Sequence, residues 1–171
     1  MATSSTTVGT STPKTILVAT DFAACAEAAL DHALALAPAL GAKVYLLHAY
    51  ALPLAAFPGG DFMPRVEVGP KILASAEAAV AQAIAKAKQS GVEILPVVKE
   101  GDPREVIKTT AEELGADLIV LGTHGRRGIV RAIFGSVAEA VVRSSLVPVM
   151  TVHAPEPVSA TTAERPPAPA P

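Results

Sequence analysis

Three segments of the chain repeat one join: "LGAKVYLLH" (40–48), "SGVEILPVV" (90–98) and "LGADLIVLG" (114–122). In each, a helical pattern stops at a glycine and an apolar, β-branched run begins within a residue or two. Glycine supplies the left-handed backbone that ends a helix, and such a run with no helical period reads as a strand buried on both faces. A helix feeding a doubly buried strand, three times over, is the repeating unit of a parallel sheet. Parallel neighbours need a crossover, and a helix supplies it.

The rest of the chain fits that frame. "KTILVAT" (14–20) reads as a first strand, followed by a helix from about Ala24, with Leu30, Leu34 and Ala37 on one face, ending at Gly41. Pro38 sits late in that helix, where it can kink or shorten the last turn. "AKVYLLHAY" is a second strand. "GPKILASAEAAVAQAIAKAKQSG" is a longer helix, with Pro70 suited to its first turn and Leu73, Ala76, Val80, Ile84 and Ala87 as its stripe. "VEILPVV" follows as a third strand. In "DPREVIKTTAEELG", Asp102 can cap a helix and Pro103 take its first position. "ADLIVLG" is a fourth strand, "SVAEAVVRSS" a helix and "VPVMTV" a fifth strand. Pro148 cannot donate to a ladder, so this last strand lies at an edge or begins there. The expected fold is an open, doubly wound α/β sheet with helices on both faces.

With 171 residues the chain suffices for one domain with a substantial core. The ends "MATSSTTVGTSTP" (1–13) and "APEPVSATTAERPPAPAP" (154–171) cannot bury enough apolar area to offset their ordering entropy. They are expected to be flexible tails around a domain spanning 14–153. The first residues lack the basic start and apolar stretch of a secretory signal. The single Cys25 excludes an intrachain disulfide framework. A net charge of −2 argues against a broad nucleic-acid or anionic-membrane surface. The expectation is a soluble cytoplasmic protein with neither nucleic acid nor membrane as partner. Residues 50–68 are long and unusually apolar for a connection. They read as a flap over the sheet edge or as a partial cover for a ligand site.

Ligands of parallel α/β sheets bind at the carboxyl ends of strands, where the strand order reverses. Gly122 ends the fourth strand there. Gly122 and Gly125 would permit tight or left-handed turns and close approach of an anion, and Gly135-Ser136 opens a helix whose free N–H groups favour one. The Ser136 hydroxyl could donate to a phosphate or cap its helix. Arg126, Arg127 and Arg131 could contact phosphate or stay solvated, and His124 could donate to phosphate, act as a base or only shape the turn. Asp21, at the tip of the first strand, could accept from a ribose hydroxyl, share a metal ion with phosphates, or cap the next helix. Other phosphate and nucleophile motifs, G-x-x-x-x-G-K-[ST], G-x-G-x-x-G and G-x-S-x-G, are absent, and the four histidines are too scattered for a zinc set.

These residues resemble the ATP-binding branch of the universal stress protein family over about residues 14–153. The resemblance rests on "ILVATDF", "VYLLHAY", "ADLIVLGTHGRRG", "FGSVAEAVV" and "VPVMTV". The branch's G-2x-G-9x-G-(S/T) pattern is met by Gly122, Gly125, Gly135 and Ser136. It implies a five-stranded sheet ordered 3-2-1-4-5, with Ala19, Thr20 and Asp21 lining the adenosine side. Ala49 would meet adenine through its backbone, and Leu121 would flank the pocket. Gly122, Thr123, His124, Gly125, Gly135, Ser136 and Val137 would surround ribose and phosphates, accompanied by Mg or Mn. It also implies a homodimer paired through Val147 to Val152. Ala23 and Ala24 depart from the pattern where many members carry Ser, so a hydroxyl near the first helix is missing. The expected function is an ATP-dependent stress-response regulator read by unknown protein partners, and not a fast enzyme. The alternative is a nucleotide-independent scaffold that keeps the Gly loop as a turn; an ATP-consuming transferase lacks an evident acceptor site and base.

Overall fold

A computed structural model describes residues 12–52, 65–87, 91–123 and 135–154, with the side chains of 65–68 outside the description. The elements are β1 (Thr15–Ala19), α1 (Ala24–Leu40), β2 (Lys43–Tyr50), α2 (Arg65–Ala87), β3 (Ile94–Glu100), α3 (Pro103–Glu113), β4 (Leu118–Gly122), α4 (Ser136–Ser144) and β5 (Val149–Val152). The strands form one parallel sheet in the order β3-β2-β1-β4-β5, as the family resemblance implies.

The glycine joins act as the sequence suggests. Gly41 has φ 60°, and its N–H and that of Ala42 close back on the carbonyls of Pro38 and Ala37. Gly91 and Gly115 share the left-handed φ. Pro38 does not shorten α1, which runs on to Leu40. The α2 helix corrects an expectation: it begins at Arg65, so Pro70 lies inside it and not in its first turn. A proline there, the sixth helical residue, lies beyond the N–H groups that a helix start leaves unpaired and forfeits one i→i−4 backbone bond.

β1 is sealed on both faces. Ile16 and Val18 face α1 and α2, packing with Val44, Leu46, Ala33 and Val80, whereas Leu17 faces α3 and α4 with Leu47, Ile107, Ile119 and Val141. All three β1 residues are fully buried, and each is worth about 1.5–3 kcal/mol of burial. Both sheet edges carry their proline: Pro96 within β3, and Pro148 immediately before β5. Among the described residues no helix is long and apolar enough to cross a membrane.

Asp102 caps α3, its carboxylate accepting from the Arg104 N–H at 2.8 Å, with Pro103 following as expected. The Arg104 guanidinium, and then its backbone N–H, hold the Asp102 carboxyl below the usual aspartate range. A depressed folded-state pKa gives stability that is present above the unfolded pKa and lost as pH falls through the folded one. Asp102→Ala should therefore lower the urea midpoint at neutral pH, and the gap from the parent should close as the acid limb is approached.

Candidate functional site at the β1 and β4 tips

Register brings the two signature tips together. Ala19 pairs with Leu47 of β2 on one side and Leu121 of β4 on the other, so Thr20-Asp21 and Gly122-Thr123 leave the sheet side by side. Ala19, Ala49, Leu121 and Val137 share the cluster on the α3/α4 side. The residues assigned to an adenosine pocket therefore come from three adjacent strands and the start of α4.

The turn after β1 is tightly tied. Thr20 donates its N–H to the Leu47 carbonyl at 2.8 Å, the Phe22 N–H donates to Thr20 Oγ1 at 3.0 Å, and the Ala23 N–H to Asp21 Oδ1 at 3.0 Å. Phe22 sits at φ 64°, an uncommon conformation for a bulky residue, which these bonds help to hold. Asp21 is not the helix cap. That position belongs to Ala23, whose side chain makes no capping bond, consistent with the hydroxyl missing from the sequence.

Gly122 is needed for a different reason from the one its spacing suggests. Its φ is not left-handed. A Cβ there would lie 2.7 Å from the carbonyl carbon and the Cβ of Cys25 and 2.8 Å from the Cys25 carbonyl oxygen. The bare glycine lets the first turn of α1 rest on the β4 tip.

Beyond Gly122, Thr123 gathers the neighbouring chain ends. Its N–H donates to the Val152 carbonyl at 2.8 Å, its own carbonyl accepts from the Gly135 N–H, and its hydroxyl bonds His153 Nδ1 at 2.9 Å. The start of α4 is thereby fixed beside the β4 tip. Gly135 is the N-cap of α4 and offers no side-chain cap; Ser136 is the first helical residue, is exposed, and does not cap its helix. The α4 N-terminus thus presents backbone N–H groups at a glycine, with the Ser136 hydroxyl next to them, a ready anion site. His124, Gly125 and Arg126, with Arg127 and Arg131, lie outside the described residues.

Two histidines matter locally that sequence reasoning considered only as zinc ligands. His153 anchors Thr123. His48 donates from Nδ1 to the Thr20 carbonyl at 2.8 Å and packs its ring 4.6 Å from that of Phe22. The available signal was alternation along β2, which places His48 on the face of Val44 and Leu46, opposite Leu47 and Ala49.

A family model described as the universal stress protein family matches residues 12–153. The chain belongs to the universal stress protein family. A universal stress protein of Methanocaldococcus jannaschii is 33% identical over 144 residues, 84% of each chain. A universal stress protein solved in complex with cAMP superposes with a TM-score of 0.65 at 26% identity, over 85% of this chain and 100% of that one. One from Archaeoglobus fulgidus in complex with dAMP gives 0.56 at 26% identity, over 81% and 97%. Universal stress proteins similar to this chain are thus known with adenine nucleotides bound.

Proposed function

We propose that this universal stress protein binds ATP, with Mg or Mn, in the crevice between the β1 and β4 tips, and that protein partners in the cytoplasm read its nucleotide state. One observation supports the reading: the Ala19–Leu121 pairing and the Gly135–Thr123 bond set the Asp21 turn, Gly122, Thr123 and the uncapped start of α4 beside one another. Asp21 suits a ribose hydroxyl, and the α4 N–H groups suit phosphate oxygens. The relatives bound to cAMP and dAMP support the adenine class. Among the described residues no group of three or more His, Cys, Asp or Glu converges on a metal. A divalent ion would therefore arrive with the phosphates, with Asp21 as the carboxylate able to share it. In this reading the role is binding and not rapid turnover. A second copy of the chain would pair along the β5 edge, over Val147 to Val152, which sedimentation tests.

Asp21→Asn is the direct test. Asparagine keeps an oxygen for the Ala23 N–H, so the fold should hold. The lost charge-assisted bond should weaken ATP roughly ten- to a hundredfold by calorimetry. Unchanged affinity would remove Asp21 from the site.

A further inference from the structure

A cavity of about 350 Å³ opens on the other side of the sheet from the nucleotide crevice, lined by Phe22, His48, Lys71, Ile72, Ser75 and Ala79 among others. Ala19, Ala49 and Leu121 pack on the α3/α4 face, whereas Phe22 packs on the α1/α2 core and His48 alternates with Ala49 along β2. Phe22 and His48 thus lie on the opposite face from Ala19, Ala49 and Leu121, and the two places meet at the turn after β1.

The lining has a definite chemistry. Phe22, Ile72 and Ala79 offer an apolar wall. Lys71 and Ser75, one turn apart on α2, form a cationic and hydroxyl edge, and Lys71 makes no salt bridge among the described residues. Among the described residues no carboxylate lines the cavity. On the opposite wall, the His48 Nδ1 proton is committed to the Thr20 carbonyl, because a carbonyl can only accept. In the neutral ring, Nε2 is then left as an acceptor, which calls for a donor on the ligand. The volume suits a small molecule.

We propose that this cavity binds a small aromatic carboxylate bearing a hydroxyl group. The carboxylate pairs with Lys71 and accepts from the Ser75 hydroxyl, the ring lies against Phe22 and Ile72, and the ligand hydroxyl donates to His48 Nε2. The site is also tied to the crevice. Both Phe22 and His48 bond to Thr20, and Phe22 holds its left-handed conformation within the same turn as Asp21. A ligand on these two side chains therefore biases the turn that presents Asp21. This coupling, unlike the cavity itself, rests on the proposed nucleotide reading.

The test titrates 4-hydroxyphenylacetate into the full chain, followed by saturation-transfer NMR and calorimetry, without nucleotide. Saturable binding is expected, about fivefold weaker for phenylacetate, which lacks the hydroxyl, and about fivefold weaker for 4-hydroxyphenylacetate with Lys71→Met. Ala79→Phe, which fills the cavity, should abolish it. No saturable binding, or equal binding by parent, Lys71→Met and Ala79→Phe, overturns the site. A second titration, of ATP at saturating 4-hydroxyphenylacetate, reads the coupling as a shift in ATP affinity. If ATP binds with unchanged affinity, the coupling is wrong. If ATP does not bind at all, the nucleotide reading and the coupling fall together, and the cavity result stands by itself.

Discussion

Gly122→Val should lower the unfolding free energy by about 3 kcal/mol or more and abolish nucleotide binding with it. The first atom added is already too close: a Cβ on Gly122 meets the Cys25 carbonyl carbon at 2.7 Å and its oxygen at 2.8 Å. Two of the three nearest atoms are backbone, in the first turn of a helix whose other end is locked by Gly41, so no side-chain rotation relieves them. The helix start must move off the β4 tip, carrying the Asp21 turn with it. Gly122→Ala should show most of the loss, since the clash is at Cβ. Adding Cys25→Gly should restore little, because the carbonyl contacts remain. Urea denaturation measures this directly; a midpoint for Gly122→Ala equal to the parent's would contradict the packing role.

Gly135→Asp should separate binding from folding. Gly135 has the extended backbone of an N-cap (φ −72°, ψ 156°), which aspartate commonly adopts. Relative to glycine, an aspartate cap changes helix stability by only a few tenths of a kcal/mol. Its carboxylate would nonetheless engage the α4 N–H groups and stand where phosphate is proposed to sit. Like charges brought together cost several kcal/mol, so ATP affinity should fall roughly a hundredfold or more while the urea midpoint stays near the parent's. An unchanged ATP affinity would place the phosphates elsewhere.

The sheet and its order were legible because short-range signals carry them. Gly41, Gly91 and Gly115 mark helix ends within a residue or two of each strand, and the Gly122 to Ser136 spacing brought the family and its strand order with it. What escaped the sequence depends on contacts between distant segments. The need for glycine at 122 is set by Cys25, a partner that no local pattern names. Pro70 looked like a helix start because proline favours a first turn, but the helix begins upstream at Arg65 and absorbs it. His48 was invisible as a link to Thr20 because β2 alternation gives its face and not its partner. The strand tips and the α4 start on which the proposed crevice is built were legible for the same reason as the fold: a motif fixes their position. Their connections to Phe22, His48 and His153 were not.

The most direct measurement is calorimetric titration of the full chain with ATP, with and without Mg, after mass spectrometry of any nucleotide released on denaturing fresh protein. The account predicts released adenine nucleotide or saturable ATP binding at one site per chain, strengthened by Mg and lost in Gly135→Asp. No released nucleotide and no binding up to millimolar ATP would contradict it, leaving the glycine pattern as a structural turn on an interaction scaffold.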